Sequence, residues 1–345
     1  MAMAKILVSG GTGYIGSHTV VELLEEGMEV VIVDNLSNSE RKVLDGIKAI
    51  TGTLPHFEEV DLRDREATYR VFELHPDIKA IIHFAALKAV GESVEKPLEY
   101  YENNLLSLIH LLEAMKKFRV DHMVFSSSCT VYGEPDTLPV TESAVLKKAN
   151  SPYGNTKQIC EDILRDTVKS MEGLGAISLR YFNPIGAHPS ANIGELPLGV
   201  PNNLVPFVTQ TAAGVRECLN VFGDDYNTPD GSAIRDYINV VDLARAHVIA
   251  IRRLLDQKQL SAFEVFNLGT GQGLSVFELI RAFEKVTGVK LNFKVVGRRE
   301  GDIEKVYADT SYANHELGWR AEKGIEETLL SAWRWEMKLR KEIKQ

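Results

Sequence analysis

Short apolar runs alternate with longer helical patterns through the first half of the chain. Six short β-branched or apolar runs predict β-strands over residues 5–9, 29–34, 56–61, 80–85, 122–127 and 176–181. The stretches between them predict helices over residues 16–26, 65–74, 97–117 and 153–171. Because parallel strands need long crossover connections, this alternation predicts an α/β fold, a doubly wound parallel sheet with helices on both faces.

The pattern changes near residue 182. Residues 182–203 contain four prolines and three glycines, show little periodicity and predict a long loop. Loops of that length in a compact domain usually carry function. The rest of the chain mixes shorter helices and strands, and a length of 345 residues is enough for two domains.

Composition narrows the class of protein. The chain has 39 Lys and Arg against 48 Asp and Glu, a net charge of −9, without the basic stripe that binds nucleic acid, so we expect no nucleic-acid partner. No apolar run approaches the roughly 20 residues that span a bilayer, so we expect no membrane partner. The N-terminal residues show no signal-peptide pattern, and we expect a cytoplasmic protein.

Cysteine and histidine positions predict no metal site. Cys129, Cys160 and Cys218 lie far apart in the sequence and form no CxxC pair. The nine histidines form no HExxH motif. We therefore expect neither a disulfide framework nor a bound metal.

A glycine-rich turn joins the first predicted strand to the first predicted helix. Gly10, Gly13 and Gly16 form a GxxGxxG motif, with Tyr14 and Ile15 before the last glycine. Glycines let the backbone approach a pyrophosphate, and the helix N-terminus offers unpaired N–H groups and a partial positive charge. A tight strand–helix turn that binds nothing has the same local signature.

Acidic residues at the ends of the next two strands favour a dinucleotide. Asp34 ends the second predicted strand, where a carboxylate can accept hydrogen bonds from the adenosine ribose. Its charge would repel a 2′-phosphate, so the sequence predicts NAD rather than NADP. Asp61, at the end of the third predicted strand, either contacts the adenine or caps the helix that begins near Arg65.

Tyr153 and Lys157 form a YxxxK pair on one face of a predicted helix. A free tyrosine titrates near 10, and a cation about 4 Å away contributes roughly 4 kcal/mol at an effective dielectric of 20, or about three pKa units. We therefore predict that Lys157 brings the pKa of the Tyr153 phenol towards neutrality, with an oxidised nicotinamide adding to the effect. Taken alone, YxxxK also occurs by chance on surface helices.

The position of the YxxxK pair points to hydride transfer. The pair opens the helix after the fifth strand, downstream of three serines that end with Ser128. A serine, a tyrosine and a lysine at the carboxyl edge of a parallel sheet can act together on an alcohol. Ser128 would hold the substrate oxygen, Tyr153 would move the proton, and Lys157 would tune the phenol and bind the cofactor ribose.

Ten stretches spread over nearly the whole chain carry a narrower signature. They are GGTGYIGSHTV (10–20), VDNLSNS (33–39), HFAALKAVGESVEKPLEYYENN (83–104), FSSSCTVYGE (125–134), SPYGNTK (151–157), LRYFNPIGAHPS (179–190), PNNL (201–204), RDYINVVDLA (235–244), NLGTG (267–271) and GRREGDIEKVYAD (297–309). Through them the chain resembles the extended short-chain dehydrogenase/reductase family and, within it, the UDP-glucose 4-epimerase family. The glycine turn and YxxxK belong to the whole superfamily, whereas LKAVGES, PNNL and RREGD are much narrower.

The resemblance implies a Rossmann-type NAD-binding domain over residues 1–181 and a smaller α/β domain over residues 182–345 that mainly binds a UDP-sugar. A segment near residues 235–255 is expected to return to the first domain. The residues implied around NAD are Gly10, Gly13, Tyr14, Ile15, Gly16, Asp34, Asn35, Asn38, Ser39, Asp61, Leu62, Phe84, Ala85, Lys88, Asn103, Tyr153, Lys157, Tyr181 and Phe182. Those implied around the UDP-sugar are Lys88, Ser128, Tyr153, Asn183, Asn203, Leu204, Phe222, Arg235, Arg299, Asp302 and Val306.

The chemistry of three substrate residues agrees with the resemblance. Arg235 and Arg299 suit a diphosphate, because a guanidinium makes bidentate, charge-assisted hydrogen bonds to phosphate oxygens. Phe222 could cover a uracil face, although a phenylalanine at a strand end is more often part of a core. Without the resemblance, Arg299 would be assigned to a charged surface cluster.

The implied reaction is 4-epimerisation without net redox change. Tyr153 takes the proton of the sugar C4 hydroxyl while hydride passes from C4 to bound NAD. The flat 4-keto sugar then turns over and receives the hydride on its opposite face. A tightly held UDP and a loosely held sugar permit that turn.

Two other classes of function remain to be weighed. A 4,6-dehydratase or a decarboxylase shares the fold, NAD and YxxxK, but it needs a carboxylate where this chain has Cys129 and Thr130. Cys129 replaces the residue next to the serine, and strand alternation predicts that its side chain turns away into packing. A non-catalytic dinucleotide sensor would not be expected to retain Ser128 together with the YxxxK pair.

Two finer expectations follow from the resemblance. The family admits N-acetylated sugars when a small residue stands four positions after the Asp of RREGD, and here that residue is Val306. We therefore expect UDP-N-acetylgalactosamine to be a further substrate, unless Tyr307 fills the space instead. Helices over residues 97–117 and 153–171 would form the interface of a homodimer.

Overall fold

A computed structural model describes residues 4–299 and 303–343 of the chain. The helices it describes are α1 (Tyr14–Glu25), α2 (Val43–Thr51), α3 (Arg65–Leu74), α4 (Val90–Glu95), α5 (Pro97–Phe118), α6 (Pro152–Ser170), α7 (Leu204–Ala212), α8 (Val240–Leu255), α9 (Val276–Thr287) and α10 (Ile325–Ile343). The strands are β1 (Lys5–Ser9), β2 (Glu29–Asp34), β3 (His56–Glu59), β4 (Ile78–His83), β5 (His122–Ser128), β6 (Gly175–Tyr181), β7 (Asn183–Ile185), β8 (Leu219–Phe222), β9 (Ile234–Arg235), β10 (Tyr237–Asn239), β11 (Phe263–Leu268), β12 (Leu274–Ser275), β13 (Phe293–Val296) and β14 (Lys305–Val306).

Seven parallel strands form the main sheet. Their order is β11-β6-β5-β4-β1-β2-β3, and every neighbouring pair is parallel. This order confirms the predicted α/β fold of the Rossmann type. The direction in which strands are added reverses between β1 and β4, and ligands bind at the carboxyl ends of the strands next to such a reversal.

Side chains of the main sheet alternate between two separate cores. On β1, Ile6 and Val8 pack with α1, α2 and α8, whereas Leu7 packs on the opposite face with α3, α5 and α6. A sheet covered on both faces has strands that are almost continuously apolar. For this reason apolar runs indicated most of its first six strands, the exception being β3, which is polar and only half-buried.

The predicted boundaries match closely, with two shifts that matter for the site. β1, β2 and α3 span the predicted residues. β3 ends at Glu59 and not at residue 61, so Asp61 lies in the loop after the strand. β4 ends at His83, which places Phe84 and Ala85 beyond the strand, at the edge of the sheet.

The seventh strand was missed in the sequence. β11 pairs with β6, and α8 packs against α1 and β4 to β6. The expected returning segment, residues 235–255, includes α8 but stops short of β11. A buried Glu264 interrupts the apolar run of β11, and it is tolerated there because Arg253 pairs with it at 2.7 Å.

The remainder of the chain builds a smaller α/β layer beside the carboxyl edge of the sheet. α7, α9 and α10 share one core with β8. Three small sheets surround it: β10 pairs with β7, β13 pairs with β8, and β9 lies between β12 and β14. β7 begins two residues after β6 ends, so the chain passes directly from the main sheet into this layer.

Candidate active site

The parallel strands bring most predicted site residues to one edge of the main sheet. Gly10 follows β1, Asp34 ends β2, Phe84 follows β4, Ser128 ends β5 and Tyr181 ends β6. Because the strands share one direction, these ends lie side by side. The sheet therefore brings together residues that are spread over about half of the chain.

The glycine turn leaves no room for side chains. A Cβ on Gly10, whose φ is +72°, would lie 2.7 Å from Ala85 N, and a Cβ on Gly16 would lie 2.1 Å from Gly10 O. Gly13 precedes α1, which has no side-chain cap and no acidic residue in its first turn. The N-terminal N–H groups of the helix are thus presented to an anion, as a pyrophosphate requires.

Asp34 is fixed beside this turn by three hydrogen bonds. Its Oδ2 accepts from Thr12 N at 3.2 Å, and its Oδ1 accepts from Leu36 N at 3.0 Å and from Ser39 Oγ at 3.2 Å. Thr12 Oγ1 and Ser39 Oγ are joined at 2.7 Å. The carboxylate is held at the end of β2, where a ribose-binding acid is expected.

Asp61 does not cap α3, so that alternative is wrong. Asp64 is the cap, and its side chain accepts from Ala67 N at 2.9 Å. Asp61 pairs with Arg63 at 2.7 Å, and this hydrogen bond holds the pKa of the Asp61 carboxyl below its usual value, with Asn35 contributing.

Most of the remaining predicted cofactor residues are placed around the same edge. The Phe84 ring lies 4.7 Å from that of His247, and the Tyr181 ring lies 5.5 Å from it. Asn103 Nδ2 donates to Asn104 Oδ1, which also accepts from Leu87 N, the residue before Lys88. Ile15 stands on α1 and packs against the core, and Leu62 is buried after β3. Asn35 and Asn38 lie in the loop after β2.

Tyr153 and Lys157 stand in the first two turns of α6, one turn apart. Lys157 is buried, and its Nζ donates to Ser126 O at 2.6 Å. The same nitrogen lies 4.8 Å from the Phe125 ring centroid and 6.0 Å from the Tyr153 ring centroid. Ser128, at the end of β5, is buried like Lys157, whereas Tyr153 is half-buried.

The expected lowering of the Tyr153 pKa by Lys157 is wrong for the protein's own groups. Burial raises the pKa of Tyr153 to about 12, and a hydrogen bond with Ser128 opposes this shift. Burial also lowers the pKa of Lys157 to about 8. The Lys157 ammonium is directed at the Ser126 carbonyl and lies 6.0 Å from the Tyr153 ring centroid, and its attraction for a phenolate does not offset the cost of burying the phenol.

A buried ion pair joins α6, the helix of Tyr153, to β6, the strand beside that of Ser128. Arg180 Nη2 lies 2.5 Å from Glu161 Oε2, and the two side chains are 3% and 0% exposed. Glu161 follows Lys157 by one helical turn and accepts a hydrogen bond from Ser127 Oγ at 2.6 Å. Motif analysis missed this pair, although a charged residue in an otherwise buried strand was a usable signal.

Arg235 and Val306 are neighbours in a small sheet. Arg235 on β9 pairs in register with Val306 on β14, and Val306 is buried in a cluster that includes Phe182. Cys129 packs against that cluster, and the positive charge of Arg235 opposes the raising of its thiol pKa by burial. β5 ends at Ser128, which caps a 3₁₀ turn, so strand alternation does not set the direction of the Cys129 side chain. That side chain lies near Arg235.

Neighbours of this sheet complete the substrate side. The Tyr307 ring lies against Gly273, where a Cβ would come within 3.1 Å of Tyr307 Cδ1, so it does not occupy the cluster around Val306. Asn183 on β7 has a buried Oδ1 without a partner among the described residues. Such an acceptor is suited to an N–H or O–H of a ligand.

Arg299 and Phe222 form a stacked pair at the end of β8. The Arg299 Cζ lies 4.5 Å from the Phe222 ring centroid, and the neighbouring Arg298 lies over Tyr226 at 4.1 Å. Arg299 is therefore more than a member of a charged surface cluster. Asp302, which was predicted beside it, lies outside the described residues.

Glu195 joins two predicted ligand-binding residues that the sequence did not link. Asn203 Nδ2 donates to Glu195 Oε1 at 2.5 Å, and Lys88 Nζ lies 3.6 Å from the same oxygen. Asn203 directly precedes Leu204, the first residue of α7. Glu195 escaped notice because its loop has no periodicity to show which side chains point inward.

The described ranges also bear on membrane-spanning segments and metal sites. In residues 4–299 and 303–343, no helix is both long and apolar enough to cross a membrane. Within the same ranges, no three His, Cys, Asp or Glu side chains are grouped as ligands for a metal ion.

Comparisons with known proteins agree with this geometry. A family model described as GDP-mannose 4,6 dehydratase matches residues 7–331. The UDP-glucose 4-epimerase of Bacillus subtilis is 53% identical over 331 residues, covering 96% of each chain. The crystal structure of UDP-glucose-4-epimerase from Stenotrophomonas maltophila with bound NAD and formylated UDP-arabinopyranose has a TM-score of 0.94 and 48% identity, covering 98% of this chain and 99% of that one.

A second solved structure points the same way. UDP-glucose 4-epimerase from Bifidobacterium longum, in complex with NAD+ and UDP, has a TM-score of 0.92 and 46% identity over 97% of this chain and 98% of its own. The carboxylates that a dehydratase needs as acid and base are absent here, where Cys129 and Thr130 stand. The chain therefore belongs to the family of the GDP-mannose 4,6 dehydratase model and, within it, to the UDP-glucose 4-epimerase family.

Proposed function

We propose that this site interconverts UDP-glucose and UDP-galactose by oxidising and re-reducing the sugar at C4, with NAD kept bound between turnovers. The protein is an NAD-dependent isomerase of the UDP-glucose 4-epimerase family. One observation carries the assignment of the site: Ser128, Tyr153 and Lys157 converge at the carboxyl edge of a sheet whose first turn accommodates a pyrophosphate.

The residues at the β1 to β4 edge fit NAD. The glycine turn has no space for a Cβ, and α1 directs uncapped N–H groups towards an anion. Asp34 stands at the end of β2 with a fixed carboxylate that suits the adenosine ribose. When bound, NAD supplies the reversible hydride acceptor that C4 oxidation requires.

Tyr153 is the group that moves the proton. It removes the proton of the C4 hydroxyl as the ketone forms and returns it when the alcohol is rebuilt. Burial works against the phenolate, so positive charge next to the ring is needed to bring its pKa down. Lys157 retains most of its charge at neutral pH, and Ser128 holds the reacting oxygen in line with the phenol.

The UDP end of the substrate is held by groups of the smaller layer. Arg235 and Arg299 pair with the diphosphate, and the Phe222–Arg299 stack supplies a flat surface for uracil. Asn183 offers its unpartnered oxygen to the ligand. Because the UDP end is held firmly, the sugar can turn about its bond to the diphosphate and present either face of C4.

Substrate breadth depends on Val306. A large aromatic side chain in place of Val306, in the cluster with Phe182 and Cys129, would narrow the room for the sugar. The Tyr307 ring lies against Gly273 and does not occupy that room. UDP-N-acetylgalactosamine is therefore a further substrate.

The decisive experiment uses the purified protein without added cofactor. UDP-galactose should be converted to UDP-glucose, and denaturation of the same sample should release NAD in amounts close to one per chain. Consumption of external NAD in step with product would instead indicate a dehydrogenase, and a 4-keto-6-deoxy product would indicate a dehydratase.

Assembly, domains and location complete the proposal. The protein forms a homodimer through α5 and α6, whose outer faces carry half-buried Leu106, Ile109 and Ile159.

Residues 1–181 and a returning segment that extends through β11 form the NAD-binding domain, and the rest binds the UDP-sugar. The protein is cytoplasmic. Light scattering of wild type and Ile109→Glu tests the interface, and cell fractionation tests the location.

A further inference from the structure

We propose that Glu195 is a positioning residue whose carboxylate orients Lys88 and Asn203 together towards the ligand cleft and thereby strengthens binding of the UDP-sugar. This inference rests on the proposed function, because the two residues that Glu195 holds are those assigned to the ligands.

One carboxylate oxygen makes both contacts. Glu195 Oε1 accepts from Asn203 Nδ2 at 2.5 Å and lies 3.6 Å from Lys88 Nζ. Lys88 lies between β4 and α4 at the edge of the main sheet, whereas Asn203 precedes α7 in the smaller layer. Glu195 therefore links the cofactor side of the cleft to the nucleotide side.

Glu195 is itself fixed in place. Trp335 on α10 donates its indole Nε1 hydrogen to Glu195 O at 2.8 Å, and the Glu195 side chain is only 12% exposed. The adjoining cleft wall is also tied down, since Tyr14 OH donates to Gly186 O at 2.6 Å. A carboxylate on a fixed backbone can hold its partners in one arrangement.

The contacts leave donors available for a ligand. An asparagine amide carries two N–H donors, and a lysine ammonium carries three. Glu195 Oε1 needs only one donor from each residue for its two contacts. The other donors of Lys88 and Asn203 remain for oxygens of the UDP-sugar. An outer partner that uses one donor and directs the rest is a common way of supporting a binding group.

The alternative is that the Glu195 carboxylate repels an anionic substrate. The Lys88 ammonium lies within ion-pair distance of Glu195 and offsets its charge. Without the carboxylate, the Lys88 side chain, already 47% exposed, would lose its partner and have to be ordered by the ligand itself. Orientation therefore outweighs repulsion, and neutralising Glu195 weakens binding.

The test compares holoenzyme of the wild type with Glu195→Gln and Glu195→Asp. Glu195→Gln removes the charge at constant size, and Glu195→Asp keeps the charge but withdraws it by one methylene. Glu22→Gln is the matched control, because Glu22 is 13% exposed and pairs with Arg245 at 3.3 Å, outside the cleft. Steady-state kinetics with UDP-galactose and calorimetric titration with UDP provide the readouts.

We expect both Glu195 variants to raise KM and the Kd for UDP about tenfold, the effect of losing one charge-assisted hydrogen bond, while kcat changes less than about twofold. Glu22→Gln should leave both constants as in the wild type. A residue that only stabilised the fold would lower the unfolding midpoint without this separation of KM from kcat.

Two results would overturn the inference. Unchanged KM and Kd in Glu195→Gln would show that Lys88 and Asn203 need no orienting partner. Tighter binding of UDP by Glu195→Gln would show that the carboxylate repels the ligand. Failure of the wild type to bind UDP or to release NAD on denaturation would instead refute the proposed function, so the two failures are distinguishable.

Discussion

Arg180 of β6 and Glu161 of α6 form an ion pair that is almost completely shielded from solvent. Glu161 also accepts from Ser178 Oγ at 2.9 Å, and Arg180 Nη1 donates to Tyr132 OH at 3.0 Å. Tyr132 OH in turn donates to Asn267 Oδ1 of β11 at 2.7 Å. With the hydrogen bond from Ser127 of β5, a single polar network thus joins three strands of the main sheet, α6 and the turn after Ser128.

Glu161→Gln should destabilise the protein by about 3–5 kcal/mol, because it leaves the Arg180 charge buried without its counter-charge. Urea denaturation followed by circular dichroism measures the change. Asp162→Asn, next along the same helix, provides the control: Asp162 pairs with Arg165 at 2.6 Å, but the pair is exposed and should contribute at most about 1 kcal/mol. Equal losses in the two variants would contradict the role given to burial.

Tyr153→Phe should lower kcat by about 10²–10⁴-fold, because the variant cannot transfer the proton of the C4 hydroxyl. NAD released on denaturation should match the wild type, since the glycine turn and Asp34 are untouched. Tyr312→Phe is the control, as Tyr312 is exposed and stacks on Phe266. A Tyr153→Phe enzyme with native kcat would remove the phenol from the mechanism.

Turnover should fall on the alkaline side of an apparent pKa near 8. Burial lowers the pKa of Lys157 to about 8, so its ammonium is lost as the pH rises through that value, and with it positive charge near the Tyr153 phenol. Initial rates at saturating UDP-galactose between about pH 6 and pH 10 give the profile. A rate that is flat, or still rising, at the alkaline end would show that the charge of Lys157 is not required.

The unfolding free energy should fall steeply as the pH drops below 6.5. Burial lowers the pKa of His18 and His83 to about 3 and that of His247 to about 4. The unfolded chain therefore binds protons near pH 6.5 that the folded chain does not bind until much lower pH. Stability is lost between these values, by about 2 kcal/mol for each histidine at pH 5.

His247→Phe separates this effect from general acid sensitivity. The phenyl ring can replace the imidazole between Phe84 and Tyr181, but it takes up no proton. Urea titrations at a series of pH values should show a shallower loss of stability than in the wild type. His315→Gln, at an exposed histidine, should retain the wild-type slope. Parallel slopes for His247→Phe and the wild type would exclude His247 as a source of the acid sensitivity.

Val306→Tyr should reduce kcat/KM for UDP-N-acetylgalactosamine at least about tenfold relative to UDP-galactose, because the larger ring occupies the space of the N-acetyl group. The same exchange at exposed Val295 serves as the control. Both sugars should be assayed with each variant. An unchanged ratio in Val306→Tyr would refute the steric basis proposed for substrate breadth.

Local signals in the sequence predicted much of the fold. Strands β1, β2, β4, β5 and β6 of the main sheet were visible because both of their faces are buried and their runs are mainly apolar, whereas β3 is polar and only half-buried. The glycine turn and the YxxxK pair were visible because each is a contiguous motif. The network around Glu161 matched no contiguous motif, because the second half of α6, a loop and most of β6 separate Glu161 from Arg180.

Sequence and tertiary structure thus determine different properties of this protein. Apolar periodicity and short motifs fixed which segments become strands and which residue types stand at the strand ends, since these depend on neighbours along the chain. Only the folded chain decided that Lys157 is directed at Ser126 O, that Asp64 and not Asp61 caps α3, and that Glu195 lies between Lys88 and Asn203. Such contacts join residues distant in sequence, and their energies depend on burial, which exists only after folding.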